Sequence, residues 1–216
     1  AQRRGLMATF MAKWSTKHPG QSGHIHLSLQ NEEKQNIFFD SSKPLNMSDE
    51  MRWFIGGQQK LMPELIAMVA PTINSYRRLI PNYWAPIDNS WDIDNRTASL
   101  RVITGARTSQ RVEYRLASAD SNPYLAMSVA LGSGLWGIEN KVEPTKSISE
   151  AAEKQGIKPL PSSLGDASTR LRKSKVARLL FGSEFIEHFC TTREKEEELH
   201  RNQVDEWQLQ RYFEII

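Results

Sequence analysis

The chain has 216 residues, a formal net charge of +3 and a hydrophobic fraction of 39%. This length permits one large domain or two small ones, and the composition permits a buried core. The sequence contains no run of about 18 apolar residues, which excludes a transmembrane helix. It also has no block of like charges typical of a nucleic-acid or lipid surface. The single cysteine, Cys190, excludes an internal disulfide and fits a reducing, cytoplasmic compartment.

Two strands and a long helix are predicted in the first third of the chain. Residues 6–14 are apolar and mixed, which indicates a buried strand. Residues 24–29 alternate polar and apolar side chains, as in a strand with one buried face. Ser48 is a good N-cap for a helix running to about residue 69, and Pro63 is a position where that helix can kink or restart.

The middle of the chain is predicted to hold a long loop, two strands and a second long helix. Residues 71–91 are rich in Pro, Asn, Ser and aromatic side chains and are interpreted as an ordered, functional loop. Residues 97–103 and 111–116 have the pattern of strands. An Asn-Pro pair at 122–123 begins a helix to about residue 138, whose small residues predict close packing against a sheet.

The last third is predicted to be mostly helical. Residues 143–165 form a surface excursion, and three short helices follow at 166–172, 174–181 and 183–200. Residues 204–216 are apolar enough to dock on another surface. The predicted fold is therefore α+β, an antiparallel curved sheet with helices packed on it. The sequence contains no glycine-rich phosphate loop, which argues against a doubly wound nucleotide-binding fold.

Two of the predicted strands carry polar faces with chemically useful side chains. Alternation places six residues on these faces: His24, His26 and Ser28 on one strand, and Arg111, Glu113 and Arg115 on the other. If both faces line one space, imidazole and carboxylate groups would suit a divalent cation, and guanidinium groups a phosphate or carboxylate. Each pattern alone also fits a solvated His-x-His surface or an exposed ladder of ion pairs.

Six segments taken together resemble the glutamine synthetase family. They are GHIHLSL at 23–29, NSYRRLIP at 74–81, WAP at 84–86, NRTASLR at 95–101, RVEYR at 111–115 and NPYL at 122–125. Their order and spacing agree with that family from about residue 5 to the C-terminus. The combination is specific, although no single segment is. The resemblance implies the fold of the glutamine synthetase catalytic domain.

The resemblance also implies an ATP-dependent carbon–nitrogen ligase. Family members transfer the γ-phosphoryl group of ATP to the side-chain carboxylate of glutamate, and ammonia or another amine then attacks the γ-glutamyl phosphate. Magnesium or manganese ions and arginine side chains stabilise the charge. The expected partners are glutamate and an amine or ammonia, without nucleic acid or membrane, and a homo-oligomeric ring is expected of the full-length protein.

Roles for individual residues follow from the resemblance. His24 and Glu113 look like ligands of one catalytic metal. Contacts to ATP are implied for five residues: His26, Ser28, Arg96, Arg101 and Arg111. Contacts to the glutamate substrate or the acceptor are implied for four: Gly20, Arg78, Trp84 and Arg115. Three arginines are expected to act in catalysis: Arg78, Arg96 and Arg115.

Two positions depart from the family pattern. Trp84 stands just before Ala-Pro, where glutamine synthetases carry a glutamate that helps to bind ammonium. An aromatic ring offers stacking or cation–π contact instead, which resembles the branch that ligates glutamate to polyamines or alkylamines. The hypothesis is an organic amine acceptor. Thr108 stands where many relatives have a lysine near the nucleotide.

The chain begins at Ala1, and its first methionine is Met7. The resemblance implies that a small N-terminal domain and strands bearing further metal-binding glutamates lie upstream. We therefore expect residues 1–216 to be the C-terminal part of a longer catalytic domain, inactive alone. One alternative is a non-catalytic relative that acts as a scaffold or regulator. Another is a metal-binding β-barrel, against which the long helix and the helical C-terminal third argue.

Overall fold

The computed structural model describes residues 1–81, 83, 85–149 and 156–215, in which helices pack over a four-stranded sheet. The strands are β1 (Ile25–Leu27), β2 (Trp91–Ile93), β3 (Leu100–Ile103) and β4 (Arg111–Tyr114), in the order β1-β4-β3-β2. The β1–β4 and β3–β4 pairs are antiparallel, as predicted, whereas β2 pairs with β3 in parallel. The predicted α+β class is confirmed.

Seven α-helices lie in the described part of the chain. They are α1 (Asp49–Val69), α2 (Ile73–Arg78), α3 (Pro123–Glu139), α4 (Leu164–Lys173), α5 (Lys175–Phe181), α6 (Ser183–Arg201) and α7 (Glu206–Tyr212). Every helix predicted from the sequence is present. Within the described ranges, no helix is both long enough and apolar enough to cross a membrane.

Helix α1 forms the centre of the core and runs through Pro63 without a break. The Ser48 hydroxyl caps its first turn, accepting a hydrogen bond from the Met51 amide at 3.1 Å. A proline leaves the carbonyl four residues earlier without its helical donor, here that of Gln59. The side-chain amide of Asn89 donates to this carbonyl at 3.1 Å, so the helix continues at little cost.

Substituting Asn89→Ala tests this explanation. Asn89 is 4% exposed, and its side chain also accepts from the Lys158 amide at 2.6 Å. Removing it takes the hydrogen-bond partner from the buried Gln59 carbonyl and from the part-buried Lys158 amide, so we expect a loss of about 1–3 kcal/mol in unfolding free energy. Denaturant unfolding of the whole protein measures the change. Asn31→Ala is the control, because that exposed side chain accepts one bond, and it should cost less than about 1 kcal/mol.

Helix α3 packs chiefly along α1, whereas the sequence predicted packing against a sheet. The two helices touch backbone to backbone where Gly57 faces Gly137. A Cβ atom built on Gly137 would lie 2.6 Å from the Gly57 Cα atom and 2.2 Å from the Trp53 carbonyl oxygen. The small residues of α3 therefore serve helix–helix contact, because a side chain at either glycine would force the helices apart.

Two local predictions were wrong. Residues 6–14 form no strand, and Leu6, Met7 and Phe10 are exposed. Their apolar character suggested burial, but a strand also needs a pairing partner, and no described strand pairs with this segment. Residues 71–91 are not a continuous loop, because they contain α2 and begin β2. Trp207 in the apolar C-terminal segment is 62% exposed, and docking of residues 204–216 on another surface stays a prediction.

Candidate functional site

The register of three neighbouring strands brings candidate residues into one row. His26 of β1 and Arg101 of β3 both lie opposite Glu113 of the central strand β4. Residues directly opposite each other across a sheet point to the same face, so their side chains meet. The polar faces of the two predicted strands therefore line the same space.

The Glu113 carboxylate is the centre of this cluster, although its side chain is only 3% exposed. Its Oε1 atom lies 2.9 Å from His24 Nδ1 and accepts a hydrogen bond from Arg115 Nη1 at 2.7 Å. Its Oε2 atom accepts from Arg101 Nη1 at 3.0 Å. His26 Nε2 lies 4.0 Å from Oε1. Two guanidinium groups and two imidazoles thus surround one buried carboxylate.

The surroundings shift both titrating groups at the centre. Burial raises the pKa of Glu113, but the Arg101 hydrogen bond and the Arg115 charge outweigh it and hold the pKa below its ordinary value. Burial and the Arg115 charge lower the pKa of His24 to about 4, against the opposing effect of Glu113. At neutral pH the carboxylate is therefore ionised and the His24 ring neutral, which are the forms that bind a metal ion.

Ser22 is a member of the cluster that the sequence prediction missed. Its hydroxyl lies 2.9 Å from His24 Nε2. A hydroxyl can donate or accept, so Ser22 supports either tautomer of the ring. If the ring proton sits on Nε2, then Nδ1 is free to bind a cation on the Glu113 side. Ser22 lies two residues before His24, so strand alternation places both on the same face. That spacing could have identified Ser22 from the sequence.

His26 and Arg111 are paired, as neighbouring positions of one polar surface. Arg111 Nε donates to His26 Nδ1 at 3.2 Å. The alternation of exposure along β1 continues to Ser28, which is exposed. Arg96 is also exposed and lies on the turn between β2 and β3, apart from the contacts made by Glu113. Of the residues with implied ATP contacts, His26 and Arg101 therefore lie beside Glu113, whereas Arg96 lies apart from it.

Arg78 is buried beside the cluster, with 3% of its surface exposed. Its Nη2 atom donates to the carbonyl oxygens of Arg115 at 3.2 Å and Leu116 at 3.1 Å, joining the end of α2 to the segment after β4. Burial lowers the pKa of Arg78 to about 10, so it remains charged at neutral pH. The Nε atoms of Arg78 and Arg115 are both buried without a hydrogen-bond partner.

Gly20 packs directly on Arg78. A Cβ atom there would lie 2.6 Å from both Arg78 Cγ and the Ala12 carbonyl oxygen, so only glycine fits. This contact places the loop at residue 20 beside the buried guanidinium, where the resemblance implied a lining of the glutamate site. The other implied substrate residue, Trp84, lies outside the described residues.

The donor set at the centre fits part of a divalent-cation site. Two ligands about 2.1 Å from one ion at a right angle lie about 3.0 Å apart, close to the 2.9 Å between His24 Nδ1 and Glu113 Oε1. Within the described ranges, no group of three or more His, Cys, Asp or Glu side chains gathers around a possible ion. These two residues would therefore supply two ligands, with further oxygen atoms coming from elsewhere.

A cavity of about 720 Å³ adjoins both histidines. Its walls combine the two imidazoles with the apolar side chains of Phe10, Pro123 and Met127. Cavities of this volume hold ligands of nucleotide size.

Comparisons with known proteins identify the family of this chain. The family model described as glutamine synthetase, catalytic domain, matches residues 1–212. Type-1 glutamine synthetase 2 of Dictyostelium discoideum is 42% identical over 100% of this chain and 42% of its own length. Glutamate–isopropylamine ligase of Pseudomonas sp is 40% identical over 100% of this chain and 48% of its own length. A solved structure described as the GmaS/ADP complex superposes with a TM-score of 0.86 at 29% identity, over 98% of this chain and 50% of that one.

The chain spans about half the length of the curated relatives it matches. The family match runs through nearly all of the chain and includes every segment that carried the resemblance in the sequence. That resemblance is therefore confirmed: the chain belongs to the glutamine synthetase catalytic-domain family.

Proposed function

We propose that the whole protein is an ATP-dependent ligase that joins the γ-carboxylate of glutamate to an amine. The observation that carries the proposal is the cluster around Glu113, where a buried carboxylate, a neutral imidazole and two guanidinium groups converge. Its residues suit a cation and phosphate oxygens rather than an apolar ligand. Family membership supports the proposed reaction, and ADP was bound in the GmaS relative.

The reaction needs charge stabilisation more than covalent help from the protein. The γ-phosphorus of ATP forms a bond to a glutamate carboxylate oxygen while its bond to ADP breaks. The amine nitrogen then bonds to the acyl carbon, phosphate departs with the bonding electron pair, and the nitrogen loses a proton. Arg101 and Arg115, which converge on Glu113, are proposed to orient phosphate oxygens and offset developing negative charge. The outlying Arg96 is proposed to join them on the phosphate side.

His24 and Glu113 are proposed to hold a magnesium or manganese ion, whose charge would neutralise phosphate oxygens when bound. The neutral state of His24 and the ionised state of Glu113 suit this role. Arg115 donates to the same oxygen that faces His24, so it would restrain the carboxylate in its orientation. His26, Ser28 and Arg111 are proposed to line the nucleotide side of the site.

The glutamate substrate is proposed to bind near Arg78 and Gly20. The unpartnered Nε atoms of Arg78 and Arg115 are buried donors that a carboxylate could satisfy. Close packing of Gly20 on Arg78 keeps the loop within reach of such a ligand.

The acceptor is proposed to be an organic amine. Similarity supports the ammonia-using and amine-using branches about equally, because both kinds of relative match at about 40% identity. The distinguishing feature is Trp84 at a position where a glutamate would favour ammonium. An indole ring offers an apolar, cation-attracting surface to an alkylammonium group.

Turnover of ATP by the whole protein tests the reaction and the acceptor. We expect glutamate-dependent ADP formation to be faster with methylamine, ethanolamine or putrescine than with ammonium, and mass spectrometry to detect the γ-glutamyl amide. The Trp84→Glu variant should shift preference toward ammonium by about tenfold or more. Ammonium as the best acceptor of the unchanged protein would refute the organic-amine proposal. Absence of any glutamate-dependent turnover would refute the ligase.

Residues 1–216 alone are proposed to be the C-terminal part of the catalytic domain and to lack activity, because the resemblance assigns them two ligands of one catalytic metal and none of the other. We also propose a homo-oligomeric ring in the cytoplasm for the whole protein, by family membership. Titration of the whole protein with nucleotide and magnesium separates the ligase from a non-catalytic scaffold, since a scaffold would bind neither ligand.

A further inference from the structure

Arg101 is held from two sides by carboxylates. On one side its Nη1 atom donates to the buried Glu113 at 3.0 Å. On the other, its Nε atom donates to Asp94 Oδ1 at 2.9 Å, and its Nη2 atom contacts the same oxygen. Asp94 was not among the residues singled out in the sequence, and the proposed reaction gives it no role.

The backbone fixes Asp94 next to the strand that carries Arg101. The Asp94 amide donates to the Val102 carbonyl oxygen of β3 at 2.9 Å. Asp94 also has a φ angle of +48°, in the left-handed region that costs most residues free energy and that aspartate tolerates better than most. Its carboxylate is thus attached one residue beyond β2, at a fixed place beside the guanidinium.

Counting donors shows what remains available on Arg101. A guanidinium group has five N–H bonds, and three point to Asp94 or Glu113. The two that are left belong to different terminal nitrogens, one on Nη1 and one on Nη2. The two terminal nitrogens of a guanidinium group can together bind two oxygens of one phosphate group. The Arg101 side chain is 19% exposed, so a ligand can reach it from solvent.

We propose that Asp94 is a positioning residue that orients the Arg101 guanidinium toward a phosphate group of the nucleotide. This inference rests on the proposed function. Glu113 alone would restrain one nitrogen and leave the group free to turn about that contact. The second contact at Nε fixes the plane of the guanidinium group and so holds its two terminal nitrogens in one orientation.

The experiment compares Asp94→Asn and Asp94→Gly with the unchanged whole protein. Asparagine keeps the shape and tolerates the left-handed backbone but lacks the charge, while glycine removes the side chain and relieves the backbone strain. We expect both variants to raise the KM for ATP and the Kd for ADP about 3- to 10-fold. The KM for glutamate should change less than twofold, and the glycine variant should melt at or above the temperature of the unchanged protein.

Asp166→Asn is the matched control, because Asp166 accepts a similar bond from Arg170 Nε at 3.1 Å on α4, and it should leave all these constants unchanged. Wild-type KM and Kd values in both Asp94 variants would overturn the proposal. So would a lower melting temperature with equal losses toward all substrates, since that indicates a structural role. If the unchanged protein binds ADP but ligates no amine, the proposed reaction fails, and the ADP measurement still decides the role of Asp94. Absence of ADP binding would overturn both.

Discussion

Replacing Gly137 with alanine is expected to destabilise the protein strongly, although alanine favours helices over glycine by about 1 kcal/mol. The new methyl group would lie 2.2 Å from the Trp53 carbonyl oxygen and 2.6 Å from the Gly57 Cα atom. Both neighbours are backbone atoms of α1, so a side-chain rotation cannot make room for it. The helices must separate along their shared contact, and we expect a loss of about 2–4 kcal/mol in unfolding free energy.

Gly132→Ala provides a matched control in the same helix. A Cβ atom at Gly132 meets nothing closer than 3.8 Å, from the Phe181 ring. Helix propensity then acts alone, and this variant should gain about 0.5–1 kcal/mol. If α1 and α3 pack as described, denaturant unfolding of the whole protein should show a lower unfolding free energy for Gly137→Ala and a higher one for Gly132→Ala. A Gly137→Ala protein as stable as the unchanged one would show that the helices do not approach at Gly57.

Local patterns predicted the elements whose own sequence determines them. Helix α1 has an N-capping serine and sustained apolar character, and the strands containing His24 and Glu113 alternate clearly. Helix α2 was missed because its six residues give too little periodicity, and the surrounding Pro and Asn residues suggested a loop. Its start was nevertheless encoded, since Thr72 and Ser75 form a reciprocal cap at 3.1 Å in each direction.

The candidate site was predictable in its residue types but not in its geometry. Alternation placed Glu113 and Arg115 on one face, and His24 and His26 on another. It could not place the two faces together, because register depends on pairing between segments that are distant in sequence. The pairing of His26 with Glu113 and the contact of Asp94 with Arg101 both arise from that register. The family resemblance indicated that His26 and Glu113 belong to one site. It gave no indication of the contact between Asp94 and Arg101.

The same register makes Glu113 the residue whose loss should be most damaging. We expect Glu113→Gln to cost about 3–5 kcal/mol in unfolding free energy, since it leaves the charge of Arg115, whose side chain is only 5% exposed, without its partner. A neutral amide keeps the size of the side chain but cannot balance two guanidinium groups. If Glu113 also binds the cation of the proposed reaction, ATP turnover should fall at least about 100-fold.

Asp94→Asn serves as the comparison for stability, because it breaks an ion pair to Arg101 from a carboxylate whose side chain is 69% exposed. Solvent screens that pair, so its loss should cost less than about 1 kcal/mol. Glu113 and Asp94 both contact Arg101, one as a buried carboxylate and the other as an exposed one. Denaturant unfolding and ATP turnover of Glu113→Gln and Asp94→Asn therefore compare the loss of a buried charge with the loss of an exposed charge. Equal and small effects on stability would mean that Glu113 is more accessible to water than its contacts with His24, Arg101 and Arg115 indicate.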